Sequence, residues 1–155
     1  RYSYGIKGGL QWRDFDFDVF FQGIGKKDVV LGGNQFWGFG NEWHVPFKHA
    51  LDSWTEDNRN AYFPRSTYDN VTGNRETQTR YLQNAAYLRL KSITLGYSLP
   101  KALLGKWKID HVRFYVSGQN LLTFDHLFDI YDPETVSLST YPLTKSVSFG
   151  LNITL

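Results

Sequence analysis

The sequence contains no cysteine and no methionine. Without cysteine there is neither a disulfide framework nor a thiolate metal site. Position 1 is Arg1, already inside an alternating pattern, and no leader-like basic start with an apolar run follows. We therefore expect the 155 residues to be a piece of a longer polypeptide. No apolar run approaches the ~20 residues that a membrane-crossing helix needs. That does not exclude a membrane, because a barrel strand shows its lipid face only in every second residue. Charge of one sign is lacking too: 17 Lys+Arg stand against 15 Asp+Glu, a net of +2. No basic patch on the scale of a nucleic-acid binder is expected, and nucleic acid is not an expected partner.

Aromatic residues are plentiful. Twelve Phe, 10 Tyr and 5 Trp make up 17% of the chain, a level suited to sheets and membrane girdles. The clearest order is a period of two. In 1–12 the even positions Tyr2, Tyr4, Ile6, Gly8, Leu10 and Trp12 alternate with polar or small residues. After a turn at Arg13-Asp14, Phe15, Phe17, Val19 and Phe21 share one face, with Asp16, Asp18 and Gln22 on the other. The pattern lapses over about 26–84, apart from a turn or two of helix expected at 46–54. It returns at 87–99, where Ile93, Leu95, Tyr97 and Leu99 share a face before Pro100. A compact connection at 101–110 leads to a strand in which Val112, Phe114 and Val116 oppose Arg113, Tyr115, Ser117 and Gln119. A polar loop covers 125–142. In the last strand Val147, Phe149, Leu151, Ile153 and Leu155 oppose Ser146, Ser148, Gly150, Asn152 and Thr154.

This is an all-β, antiparallel pattern whose connections run short, very long, moderate and long. Outer-membrane barrels combine short periplasmic turns with long extracellular loops in that way. On this reading Phe17, Val19, Leu95, Phe114, Val116, Phe149, Leu151 and Ile153 face lipid, and Asp16, Asp18, Arg113 and Gln119 face the lumen. The chain ends at the periplasmic rim. Arg89, Lys91 and Lys145 fall in the apolar register and are expected at the outer strand ends, above the hydrocarbon. Five strands cannot close a barrel in lipid, so further strands are required. The alternative is a soluble, aromatic-rich β-domain that binds carbohydrate, since a soluble sheet also shows one apolar and one polar face.

Several segments resemble the C-terminal part of SusC/RagA-family TonB-linked outer-membrane transporters. They are Trp54-Thr55-Glu56-Asp57-Asn58 with Asn60-Ala61-Tyr62-Phe63-Pro64-Arg65, then Tyr87-Leu88-Arg89-Leu90-Lys91-Ser92-Ile93-Thr94-Leu95-Gly96-Tyr97-Ser98-Leu99-Pro100. Ser117-Gly118-Gln119-Asn120-Leu121-Leu122-Thr123 and the closing Tyr141-to-Leu155 stretch complete the set. The resemblance implies the last five strands of a 22-stranded transmembrane barrel in a Gram-negative outer membrane. It implies a SusD-like lipoprotein as lid, a TonB complex engaged through N-terminal regions absent here, and oligosaccharide or peptide cargo for nutrient uptake. Such barrels usually end in an aromatic residue. Leu155 departs from that, but the alternation before it is intact and the assembly signal is expected to work.

Neither a catalytic constellation nor a metal site is expected. Asp16 and Asp18 lie two residues apart on one face, about 6.6 Å between Cα atoms, but lumen lining explains them better than paired-carboxylate chemistry. His44, His49, His111 and His126 lack ligand spacing. Gly23-Ile24-Gly25-Lys26-Lys27 lacks the positions of a phosphate loop. Asp125, Asp129, Asp132 and Glu134 form an oxygen-rich loop in which calcium is the only cofactor to consider, without EF-hand spacing. The long loop is the best functional candidate: Trp37, Trp43, Trp54, Tyr62 and Phe63 lie among Asn and Asp. Flat rings beside short polar groups suit substrate sugars or a lid protein, although such a loop also needs a core of its own.

Overall fold

The computed structural model describes residues 1–38, 43, 45–67, 73–105, 109–141 and 143–155. His44 and Pro142 fall outside them. The chain divides into two compact units, Arg1–Lys27 with Asn84–Leu155, and Asp28–Gln83.

The first unit is a five-stranded antiparallel sheet. It contains β1 (Ser3–Trp12), β2 (Phe15–Ile24), β5 (Tyr87–Ser98), β6 (His111–Asp125) and β7 (Ser146–Thr154), side by side in that order. Every strand pairs with its neighbour in the chain order of the sheet, as hairpin-like connections demand. Arg13, at φ 53°, lets the chain reverse within two residues between β1 and β2. A short helix α2 (Lys101–Leu104) lies in the β5–β6 connection. Leu104 is buried there, as is Val112 at the start of β6.

The register converts period-two sequence into rows that cross the whole sheet. Trp12, Phe15, Tyr97, Phe114 and Leu151 form one row. Leu10, Phe17, Leu95, Val116 and Phe149 form the next on the same face, followed by Gly8, Val19, Ile93, Gly118 and Val147. On the opposite face Gln11, Asp16, Gly96, Tyr115 and Gly150 align, then Gly9, Asp18, Thr94, Ser117 and Ser148. A one-residue slip in any strand would exchange these faces, so the side-chain pattern fixes the register.

The period of two does not run unbroken through β5, and Arg89 leaves the apolar register expected for it. The ladder from β2 to β5 pairs Phe20 with Ser92 but Phe21 with Leu90, leaving Lys91 as an extra residue. The ladder to β6 breaks at the same place, pairing Ser92 with Gln119 and Leu90 with Leu122. A β-bulge of this kind shifts the alternation by one residue. Upstream of it, Arg89 pairs with Gln22 and Thr123, which puts it on the polar face and not in the apolar register with Leu95. Asn120, at φ 51°, absorbs the corresponding irregularity in β6.

The second unit, Asp28–Gln83, has a two-stranded sheet of β3 (Asp28–Val30) and β4 (Leu82–Asn84), a single turn of helix α1 (Asn34–Trp37), and two 3-10 turns, Lys48–Leu51 and Thr79–Tyr81. The helix expected in 46–54 is thus the one turn Lys48–Leu51. The unit is organised by rings. Phe36 is fully buried, with Phe63 at 5.2 Å, Trp37 at 5.0 Å and Tyr81 at 6.1 Å between ring centroids, all edge-on. Edge-to-face packing of this sort adds to the gain from area burial. Leu31, Ala50 and Ala61 complete the buried set.

Candidate functional site

Three places bring functional side chains together. The first is the polar face of the sheet. Arg113 on β6 donates from Nε to Asp16 Oδ1 on β2 at 2.8 Å, and from Nη2 to Asp16 Oδ2. The two strands are not neighbours: β5 runs between them. The pair passes over Gly96, where a Cβ would meet both Asp16 carboxylate oxygens and the Arg113 guanidinium. Arg113 also stacks over Tyr115, 5.2 Å from the ring centroid. Asp16 is therefore an ion-pair partner and not half of a carboxylate dyad. Asp18 shares its face one row further on, beside Gly9 and Thr94.

The second place is the long-connection end of the same face. Arg89 is only 3% exposed. It donates to Thr123 Oγ1 at 2.9 Å, to Asp132 Oδ2 at 2.6 Å and to Glu134 Oε2 at 2.7 Å. Lys91 Nζ reaches both Glu134 oxygens, at 2.9 and 2.8 Å. Lys27 Nζ donates to the carbonyl oxygens of Pro133 and Glu134 at 2.7 and 3.4 Å. Burial pushes the Lys27 ammonium below the ordinary lysine range; Arg1 adds to this, and Asp132 and Glu134 oppose it. Within the loop, Asp132 Oδ1 accepts the backbone N–H of Glu134 at 2.9 Å, and Val136 N–H closes the turn on the Asp132 carbonyl at 2.7 Å. The β6–β7 loop is thus held against the polar face by three cations. Two of the four acidic residues considered for calcium are committed to these ion pairs, and no metal-holding group of His, Asp and Glu occurs among the described residues. Sequence reasoning did not find this lock, because it carried the odd-numbered register through the bulge.

The third place is the Asp28–Gln83 unit. Trp37 packs edge-on against Tyr81 at 4.7 Å and Phe63 is buried, so these two build the unit's own core. Tyr62 packs edge-on against Phe63 at 4.9 Å, and its hydroxyl accepts from Gln83 Nε2 at 2.9 Å. Burial raises the Tyr81 phenol above its ordinary value, with Arg80 opposing and Tyr62 adding. Trp43 is 83% exposed. Trp54 is the aromatic that combines exposure with a cleft: it lines one of about 330 Å³ together with Arg59, Arg65, Arg80, Asn74 and Gln78. The five loop aromatics are therefore not one site but a core, a cleft wall and an exposed ring. The Trp54 cleft was legible only as the single tryptophan; its arginines are spread along the sequence.

The sheet, with one apolar and one polar face and its long connections at one end, defines a section of wall from an antiparallel β-barrel. No family model matches the chain. Over 98% of its length it is 29% identical to a TonB-dependent receptor of Formosa agariphila, and over 97% it is 26% identical to a second TonB-dependent receptor of that organism. It spans 16% of the length of each. Among solved structures it matches the RagAB peptide importer in the open-open state, with TM-score 0.72 and 28% identity over 99% of this chain and 17% of that one. The closed-closed state gives TM-score 0.71 and 27% identity over 97% and 17%. The similarity to the C-terminal part of SusC/RagA-family TonB-linked transporters is thereby borne out, together with the all-β antiparallel class. The relatives are named as receptors and as a peptide importer, not as enzymes.

Proposed function

We propose that this chain is part of the barrel wall of a TonB-dependent outer-membrane transporter that imports oligosaccharides or peptides together with a SusD-like surface lipoprotein. The observation that carries the reading is the apolar face. Leu10 is 66% exposed and Phe149 80%, in rows without polar interruption. Such a face costs free energy in water and is at home in hydrocarbon. Trp12, Phe15 and Tyr97 band it at the short-turn end, with Phe15 and Tyr97 rings 4.7 Å apart, and Tyr2, Tyr4 and Phe124 lie at the other end. Strands of 9 or 10 residues, as in β1, β2 and β7, suit a tilted crossing of the hydrocarbon. A soluble carbohydrate-binding domain would need a second layer over this face, and among the described residues none covers Leu10, Leu95 or Phe149.

With long connections outside, β7 runs inward and the chain ends on the periplasmic side. TonB engagement belongs to regions beyond these residues. The test is Phe149→Arg. In mid-bilayer the charge costs ~2–4 kcal/mol, so the variant is expected to be depleted from the outer membrane. Wild-type levels of folded Phe149→Arg in outer-membrane fractions would overturn the reading.

A further inference from the structure

The cleft beside Trp54 is basic: among the described residues three arginines line it, and no carboxylate does. Arg80 is fixed by donating from Nε to the Tyr62 carbonyl at 3.1 Å and from Nη2 to that of Ala61; Arg59 donates from Nε to the Glu56 carbonyl at 3.2 Å. Carbonyl oxygens orient a guanidinium without neutralising it. Arg65 makes no hydrogen bond or ion pair among the described residues. The nearby Asp52 carboxylate is occupied by the loop itself, accepting from Asn58 Nδ2 and from the Tyr62 backbone N–H, each at 3.1 Å. Glu56 lines an adjoining cleft that shares Trp54 and Arg65.

We propose that this cleft binds an acidic saccharide unit, its carboxylate or sulfate held by Arg65 with Arg59 and Arg80, and its ring laid on Trp54. Guanidinium forks match carboxylate and sulfate geometry. The Trp54 ring, 36% exposed, offers a flat apolar surface for sugar C–H groups. The amides of Asn74 and Gln78 supply both donors and acceptors for hydroxyls. A volume of about 330 Å³ is at the small end of ligand sites and suits a short saccharide. The inference rests on the transporter reading and adds a cargo class to it.

The full-length transporter, purified from outer membranes with any lipoprotein that accompanies it, is titrated with tetragalacturonate and its methyl ester. A second pair is a chondroitin sulfate tetrasaccharide and its desulfated form; tetraglutamate is the peptide control. At least one acidic saccharide is expected to bind about tenfold more tightly than its less charged counterpart, an advantage that shrinks in high salt. Arg65→Gln removes most of that advantage and Arg65→Glu reverses it. Which pair responds tells uronate from sulfate. Equal binding within both pairs, an unchanged preference in Arg65→Gln, or stronger binding of tetraglutamate than of either saccharide overturns the inference. Outer-membrane levels of the wild-type transporter are measured in parallel. Normal levels without charge preference sink only the cleft, whereas absence from the outer membrane sinks the transporter reading.

Discussion

A buried guanidinium is tolerated only when its donors are engaged. Arg89 meets that condition through Thr123, Asp132 and Glu134, and in doing so joins β5 to the loop that follows β6. Arg89→Leu leaves two carboxylates facing an apolar side chain. Because both are partly solvated, the expected cost is about 3 kcal/mol, the lower part of the range for breaking a buried pair. The backbone amides of Tyr131, Glu134 and Val136, each hydrogen-bonded within the loop, are expected to lose hydrogen-exchange protection, while Lys91→Ala costs under about 1 kcal/mol. Unchanged protection in Arg89→Leu would refute the lock. The sequence does contain the signal that separates Arg89 from the apolar face. Leu88 and Leu90 stand at even positions, Ile93 and Leu95 at odd ones. The three-residue step from Leu90 to Ile93 marks the bulge. What hid it was Tyr87, a large aromatic at an odd position that looked like a continuation of the Ile93 set.

At the scale of elements, the strands were legible and the long loop was not. Period-two alternation predicts all five long strands, and their observed limits at Ser3–Trp12, Phe15–Ile24, Tyr87–Ser98, His111–Asp125 and Ser146–Thr154 follow the pattern closely. The Asp28–Gln83 unit has no such period, because its core is assembled from rings brought together by irregular backbone: Phe36 from α1, Phe63 from an extended stretch, Tyr81 from a 3-10 turn. Its cohesion depends on those rings. Phe63→Ala removes the partner of Phe36, Trp37, His49 and Tyr62 together, at a cost of ~3–5 kcal/mol. The expected outcome is protease sensitivity confined to this unit, with the heat-stable barrel still present in the outer membrane. Loss of the whole protein from the membrane would mean that the loop unit is required for assembly.

For the whole molecule, a five-stranded sheet whose apolar face is exposed, and whose edge strands β1 and β7 pair with no further strand among the described residues, is not a self-sufficient core. The native polypeptide that carries these peptides is expected in outer-membrane fractions, extractable only with detergent, at several times the 18.0 kDa of this span. A soluble 18.0 kDa species would contradict the barrel. Within that wall, Asp16 and Arg113 join two strands that never hydrogen-bond to each other through their backbones. Their ion pair therefore carries information about order. In this structure it closes across β5 and over Gly96, so its two partners meet where β2, β5 and β6 lie side by side in that order.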